Sequence, residues 1–195
     1  MPTGGRTLFV AGPLRAVELD VADAPALQRL YDDNERWFVD VTGRPPAADE
    51  ALRELRDDGP PDIPIGRVWL LGFVDEDGEL VAMANVASDF VAERVWHIGY
   101  FIVATALHGT GTAHALHAGI ESWARGSGAH WLRLAVVVGS ARAERFWRRV
   151  GYRELRRRDG VTMGERVNEL SIMLKPLAGG EPAEYLALVA RDRPG

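Results

Sequence analysis

The stretch with the clearest chemical potential is HGTGTA, residues 108–113, which has apolar sequence on both sides. Gly109 and Gly111 leave backbone N–H groups uncovered, and Thr110 and Thr112 place hydroxyl groups beside them. A glycine turn between a strand and a helix can bind a phosphate, because the first N–H groups of a helix lack internal acceptors and its dipole is positive there. The spacing therefore indicates an anion site.

Two well-known phosphate motifs do not fit this stretch. A dinucleotide-binding turn would need a third glycine, and His114 stands at that position. A P-loop would need a lysine after its last glycine, and the sequence has none there. From this segment alone, two interpretations stay open: a tight turn without any ligand, and a binding site for a phosphate-bearing cofactor of another kind.

The elements around the stretch predict an α+β fold. Helical spacing covers 23–42, 47–56 and 112–127, and a short helix spans 140–150. The turn DEDG joins two strands into a hairpin, and an apolar run predicts a buried strand. The strand patterns cover residues 14–19, 67–74, 80–88, 95–103, 131–138, 152–158 and 169–174.

Length and composition limit the class of protein. A chain of 195 residues suits one domain, here residues 1–178, followed by a tail over 179–195 in which we expect a short helix. The absence of cysteine excludes disulfides, thiolate zinc sites and cysteine nucleophiles. The net charge of −5 argues against nucleic-acid or membrane partners. The histidines show no metal-ligand spacing, so no metal is expected. Without a signal-peptide pattern, we expect a cytoplasmic protein.

Residues 95–152 resemble the GCN5-related N-acetyltransferase (GNAT) superfamily. In that family a strand leads into Arg/Gln-x-x-Gly-x-Gly/Ala, which opens a helix, and HGTGTA occupies this place. The family then shows Asn-x-x-Ala-x-x-Phe-Tyr-x-x-x-Gly-Phe, and SARAERFWRRVGY matches it at Ala143, Phe146 and Gly151. The resemblance implies a GNAT fold over residues 1–178: a mixed, mostly antiparallel twisted sheet of about seven strands, with helices on both faces.

The resemblance also implies that acetyl-CoA is the co-substrate. Its pyrophosphate would lie on His108, Gly109, Thr110, Gly111, Thr112 and Ala113, and its pantetheine arm would pair with the backbone of Phe101, Ile102 and Val103. Further cofactor contacts are expected at Ser140, Phe146 and Trp147. Trp147 replaces the tyrosine that often protonates the departing thiolate. Because an indole N–H does not ionise usefully, that acid role is vacant here.

The acceptor is expected to be a primary amine of a small molecule or a peptide. Whether the protein forms a homodimer stays open. The ammonium form of the acceptor must lose a proton before it can attack. Some relatives carry a carboxylate base on the fourth strand, and the corresponding position here is His97. Strand alternation predicts that His97 shares a face with Phe101 and Val103, and an imidazole suits base catalysis near neutrality. A sheet histidine without a catalytic role stays open.

Further residues are candidates for the acceptor side. Glu93 is the second candidate base and would act through water, as would Asp89. The N-terminal helices are expected to flank the acceptor cleft, and its aromatic candidates are Tyr31, Trp37, Phe38 and Trp69. Two other hypotheses fit the sequence: a non-catalytic acyl-CoA-binding module, and a structural domain without a ligand.

Overall fold

An eight-stranded sheet runs through the computed structural model, which describes residues 5–57, 59–60 and 62–194. Its spatial order is β1-β2-β3-β4-β5-β6-β8-β7. Neighbouring strands are antiparallel except for β5 and β6, which are parallel. The strands are β1 Thr7–Ala11, β2 Leu14–Glu18, β3 Val68–Val74, β4 Leu80–Ala87, β5 Val95–Val103, β6 Trp131–Val137, β7 Arg153–Met163 and β8 Arg166–Pro176.

Helices cover both faces of this sheet, so each face has its own apolar core. The helices are α1 Ala24–Asp32, α2 Glu35–Thr42, α3 Glu50–Glu54, α4 Thr112–Gly126, α5 Ala141–Arg149 and α6 Pro182–Leu188. Leu116 and Ile120 of α4 and Trp147 of α5 are buried on one face, in the cluster that we call the α4-side core. Leu27 of α1 and Ala51 of α3 are buried on the other, in the α1-side core. The α+β fold class is confirmed, with helices on both faces of a mostly antiparallel sheet.

Two local differences from the expected elements have clear causes. The strand count is eight rather than about seven, because TLFVA pairs with β2 as the edge strand β1. The helix expected over 23–42 is two helices, interrupted at Asn34. The Asn34 side chain donates to the Leu30 carbonyl at 2.8 Å, so it competes with the backbone for the helical acceptor and helps to end α1.

Strand β5 contains a bulge in its middle. Ala84 pairs with Phe101 and Val86 pairs with Ile98, so Gly99 and Tyr100 both stand opposite Asn85. Two residues against one bend the strand and reverse the alternation of its side chains beyond that point. The side chains of Ile98 and Phe101 therefore reach the same core.

The segment 179–195 packs against the sheet as far as it is described. Tyr185 of α6 is buried with Val95, Trp131 and Leu174. Asp192 is fully buried and receives two hydrogen bonds from the guanidinium of Arg133, of 2.7 and 3.0 Å. The Tyr185 hydroxyl donates to the same carboxylate at 2.6 Å. We call these residues, Arg133, Tyr185 and Asp192, the tail anchor. No helix within the described ranges is long and apolar enough to cross a membrane.

Candidate active site

The sheet opens between β5 and β6. These strands pair from Val95 with Trp131 to Ile98 with Leu134, and the pairing stops there. β5 continues to Val103 along β4, whereas β6 continues to Val137 along β8. The bulge begins at the first residue beyond the last pair, and it turns β5 away from β6. An extended ligand could therefore occupy this gap and bond to the β5 backbone.

The glycine turn lies at the end of β5 and opens α4. Gly109 and Gly111 have φ of +83° and +90°, which glycine adopts without steric cost. A Cβ built at either position would meet nothing within 4 Å, so the space above the turn is open. The first N–H groups of α4 that reach back, those of His114 and Ala115, bond to the Gly111 carbonyl. The N–H groups of Thr112 and Ala113 precede them, where an anion could bind. The Thr112 N–H donates a long hydrogen bond, of 3.4 Å, to Thr110 Oγ1, which an anion would have to replace.

The two threonine hydroxyls shape the turn. Thr110 Oγ1 donates to the Leu107 carbonyl at 2.8 Å and lies 2.7 Å from Thr112 Oγ1. Because the Thr110 proton is used in the first bond, Thr112 donates in the second. The hydroxyls therefore brace the turn, and the backbone carries most of its capacity for an anion.

His108 links the turn to α5 through Arg142. Arg142 Nη1 lies 2.8 Å from His108 Nδ1, and His108 Nε2 lies 2.8 Å from the Val103 carbonyl. A guanidinium only donates, so Nδ1 is the acceptor and Nε2 carries the proton. Burial and the Arg142 charge lower the pKa of His108 against the opposing effect of the Val103 carbonyl. The structure thus keeps His108 neutral and presents the Arg142 charge beside the turn.

The three residues of α5 and its N-cap position that are expected to contact the cofactor differ in how deeply they are buried. Ser140 stands at the N-cap position of α5 and is half-buried. Phe146 is half-buried and stacks on Phe101, with ring centroids 5.8 Å apart. Trp147 is buried between Phe101 and Tyr152, within the α4-side core.

The face predicted for His97 is wrong. The bulge places Phe101 and Val103 in the α4-side core, whereas His97 projects from the opposite face and stacks on Phe90 at 4.2 Å. Burial, followed by the nearby Arg133 charge, lowers the pKa of His97 to about 3. The ring Nδ1 lies 3.1 Å from the Arg133 carbonyl. At neutral pH, such an imidazole is a weak proton acceptor.

Glu93, the second candidate base, lies near the N-terminal end of β5, away from the glycine turn. It precedes β5 and lines a pocket with Trp96, Trp123 and Gly128, beyond the C-terminal end of α4. The glycine turn is at the N-terminal end of that helix. The five residues from Arg94 to Ile98 separate Glu93 from the start of the gap at Gly99, which corresponds to at most about 20 Å of extended chain. Asp89 lines the same pocket.

The aromatic residues expected around the acceptor separate into two groups. Tyr31 and Phe38 are buried in the α1-side core, and Trp37 meets Tyr100 of the bulge at 5.4 Å. Trp69 stacks on Trp96 at 5.1 Å, on the α4 side of the sheet. The acceptor-side aromatic candidates are therefore Trp37 and Tyr100, which are both half-buried.

Sequence reasoning missed one carboxylate beside the bulge. Glu54, the last residue of α3, accepts a hydrogen bond from Asn85 Nδ2 at 2.8 Å. Asn85 is the residue opposite Gly99 and Tyr100. No local pattern predicts this contact, because it joins a carboxylate of a helix to a strand 31 residues away in the chain. Among the described residues, no group of three His, Cys, Asp or Glu side chains could hold a metal ion.

One family model and several solved structures are similar to this chain. The model of the acetyltransferase (GNAT) family matches residues 27–152, which include the gap and the glycine turn. A search among curated proteins finds no significant sequence match.

Several solved structures share the fold. Spermidine N-acetyltransferase from Vibrio cholerae, in complex with CoA and spermine, is 18% identical with a TM-score of 0.67 over 86% of this chain and 97% of that chain. The acetyl transferase from Salmonella typhimurium that modifies the N-terminal serine of ribosomal protein L7/L12 is 12% identical, with a TM-score of 0.68 over 84% and 95% of the two chains. A GCN5-related N-acetyltransferase from Kribbella flavida is 22% identical, with a TM-score of 0.62 over 86% and 100%.

Proposed function

Because this chain belongs to the acetyltransferase (GNAT) family, we propose that it transfers an acetyl group from acetyl-CoA to a primary amine of a small molecule or a protein. The amine attacks the thioester directly while both substrates are bound. The observation that carries the proposal is the gap between β5 and β6, which opens beside the glycine turn.

The gap and the turn match two adjacent parts of a CoA molecule, its pantetheine arm and its pyrophosphate. The pyrophosphate binds to the N–H groups at residues 109–113, at the positive end of α4. The pantetheine arm extends along residues 101–103 of β5 like an added strand, because the β5–β6 pairing ends before them. A backbone N–H of β5 then donates to the thioester oxygen as negative charge develops on it.

The departing thiolate does not depend on Trp147. Its side chain is buried in the α4-side core, and an indole N–H does not ionise in the working range of pH. The thiolate therefore leaves unaided or takes its proton from water.

A non-catalytic acyl-CoA-binding module is the second candidate. The observation in its favour is the replacement of two family residues, since Ser140 stands for asparagine and Trp147 for tyrosine. A binding module would hold CoA as tightly as the enzyme but would release no thiol when amines are added.

The first experiment follows CoA binding and thiol release together. CoA that binds only the folded state at a hundredfold excess over Kd raises the free energy of unfolding by about 2.7 kcal/mol. We expect this increase in calorimetry or thermal melts, and we expect thiol release from acetyl-CoA with at least one alkyl amine or free amino terminus. Binding without release would favour the module, and no stabilisation by CoA would contradict both candidates.

Arg142 is expected to strengthen CoA binding. One of its N–H groups donates to His108, and the guanidinium has further donors for a phosphate on the turn. We expect Arg142→Gln to raise the Kd for CoA about tenfold, because a hydrogen bond to a charged group contributes about 1.5–3 kcal/mol and exposure weakens it. Isothermal titration measures this change.

Arg149→Gln is the matched control for Arg142. It removes an equal charge from an exposed side chain of α5, two helical turns or about 10 Å further along. A Kd for Arg142→Gln equal to that of this control would remove Arg142 from the binding site.

A further inference from the structure

Glu54 lies beside the bulge of β5. Its carboxylate bonds to Asn85, Asn85 stands opposite the bulge, and the bulge begins where β5 separates from β6. Gly99 is exposed and carries no side chain, and a Cβ there would be 3.4 Å from Asn85 Oδ1. The face of β5 is therefore uncovered between Asn85 and the gap.

The surroundings of Glu54 are acidic and aromatic. The negative charges of Asp57 and Glu50 lie close enough to raise the pKa of Glu54. The charge of Glu54 in turn raises the pKa of both Tyr31 and Tyr100. Glu50 is engaged with Arg44 at 2.9 Å, and Asp57 accepts from the Gly59 N–H. Trp37 packs edge-on against Tyr100. Carboxylates beside aromatic rings attract an organic cation.

We propose that Glu54 is the general base of the transfer and that the surface around Glu54, Trp37 and Tyr100 binds a cationic primary amine, an inference that rests on the proposed function. The carboxylate receives the proton of the bound ammonium directly or through one water molecule. Glu54 thereby fills the role that the sequence assigned to His97 or Glu93.

The proton balance of the step is complete without another reactant. The ammonium gives one proton to Glu54, and the neutral nitrogen then forms the C–N bond to the thioester carbon. As the C–S bond breaks, the electron pair leaves with sulfur. The second nitrogen proton passes to water, and water supplies a proton to the thiolate. Glu54 returns its proton to water. The products are the N-acetyl amine, CoA and one proton.

Protonation of Glu54 at low pH would stop this step. Burial is the main reason that the pKa of Glu54 is raised; the charges of Asp57 and Glu50 add to it, and the Asn85 bond opposes it. A raised pKa makes the carboxylate a stronger base. Activity should therefore fall as the pH decreases through that pKa, because the protonated carboxyl cannot accept a proton.

The main test is Glu54→Gln, which keeps the size of the side chain and an oxygen for Asn85. We expect kcat/KM for butylamine to fall about 10²–10⁴-fold, the usual contribution of a general base, while the Kd for CoA stays unchanged. The loss should be much smaller for trifluoroethylamine, because this weakly basic amine is already neutral and needs no base. Glu76→Gln, at the exposed turn between β3 and β4, is the control.

Asn85→Ala tests whether Glu54 acts as a base or only supports the structure. A purely structural Glu54 would leave the pH dependence of kcat/KM unchanged in this variant. Without the Asn85 bond, the pKa of Glu54 rises further, so the acidic limb of kcat/KM should move to higher pH. The same limb should be absent in Glu54→Gln. Equal losses for both amines in Glu54→Gln, or an unmoved limb in Asn85→Ala, would overturn the assignment.

Failure of Glu54 and failure of the proposed function give different results. If Glu54→Gln turns over butylamine like the parent, acetyl transfer stands and Glu54 is not the base. If the parent binds CoA but releases no thiol with any amine, the transfer itself fails. In that case, butylammonium is titrated into the CoA complexes of the parent and of Glu54→Gln. We expect weaker binding to Glu54→Gln, and equal affinities would overturn the cation site.

Discussion

Asp192→Ala is expected to lower the free energy of unfolding by about 3–5 kcal/mol, the usual result of removing one partner of a buried ion pair. Arg133 is 3% exposed and Asp192 is 0% exposed, so the change would leave a guanidinium without its counter-charge inside the protein. The Tyr185 hydroxyl would also lose its acceptor. Urea denaturation followed by circular dichroism measures the effect.

Two comparisons sharpen this test of the tail anchor. Asp159→Ala, at an exposed carboxylate of β7, should change the stability by less than about 0.5 kcal/mol. The pair Arg133→Met and Asp192→Leu should recover part of the loss, because it leaves no buried charge. A loss below about 1 kcal/mol in Asp192→Ala would mean that water reaches Arg133 once the carboxylate is gone.

The contribution of the tail anchor should also depend on pH. Burial by itself would raise the pKa of Asp192, but the hydrogen bonds and charge of Arg133 hold it below its usual value. A lowered pKa in the folded state stabilises the protein above the unfolded value of about 3.9. The stability difference between parent and Asp192→Ala should therefore persist at neutral pH and shrink as the pH falls below about 4.

Gly111→Glu is expected to weaken CoA binding at least a hundredfold. The new side chain would point into the open space above the turn, where the pyrophosphate is proposed to lie. Two like charges about 4 Å apart repel by about 4 kcal/mol near a protein surface. Calorimetric titration with CoA measures the loss.

Gly128→Glu is the matched control, because it separates backbone strain from repulsion. Gly128 also has a positive φ, of +93° against +90° at Gly111, and it also has nothing within 4 Å of a built Cβ. It follows the C-terminal end of the same helix, so both variants carry similar strain and equal charge. If Gly128→Glu weakened CoA binding as much as Gly111→Glu, the phosphate site would not lie at the turn.

Local sequence patterns were sufficient for much of the fold. The DEDG turn lies between β3 and β4, and the strand expected over 95–103 and the helix expected from 112 are β5 and α4. These elements depend on residues close together in the chain, through turn chemistry and hydrophobic periodicity. The glycine turn was predictable for the same reason.

Features that depend on pairing between distant segments were not predictable. Alternation along β5 predicted one face for His97 and Phe101, but the bulge depends on how β5 meets Asn85 of β4. The Arg142 contact with His108 joins residues 34 apart, and Glu54 meets Asn85 across 31 residues. No periodicity in a single sequence encodes such contacts.

The tail anchor also sets an order of events during synthesis. Arg133 lies in β6, whereas its carboxylate follows 59 residues later in the chain. At about 5–20 residues per second, the ribosome adds that length in roughly 3–12 s. Throughout this interval the Arg133 guanidinium has no carboxylate with which to enter the core, and burying it alone would be costly. The pairing of β5 with β6 should therefore form late in synthesis. Until Asp192 has been added, the nascent chain should expose an incomplete sheet to proteases and chaperones.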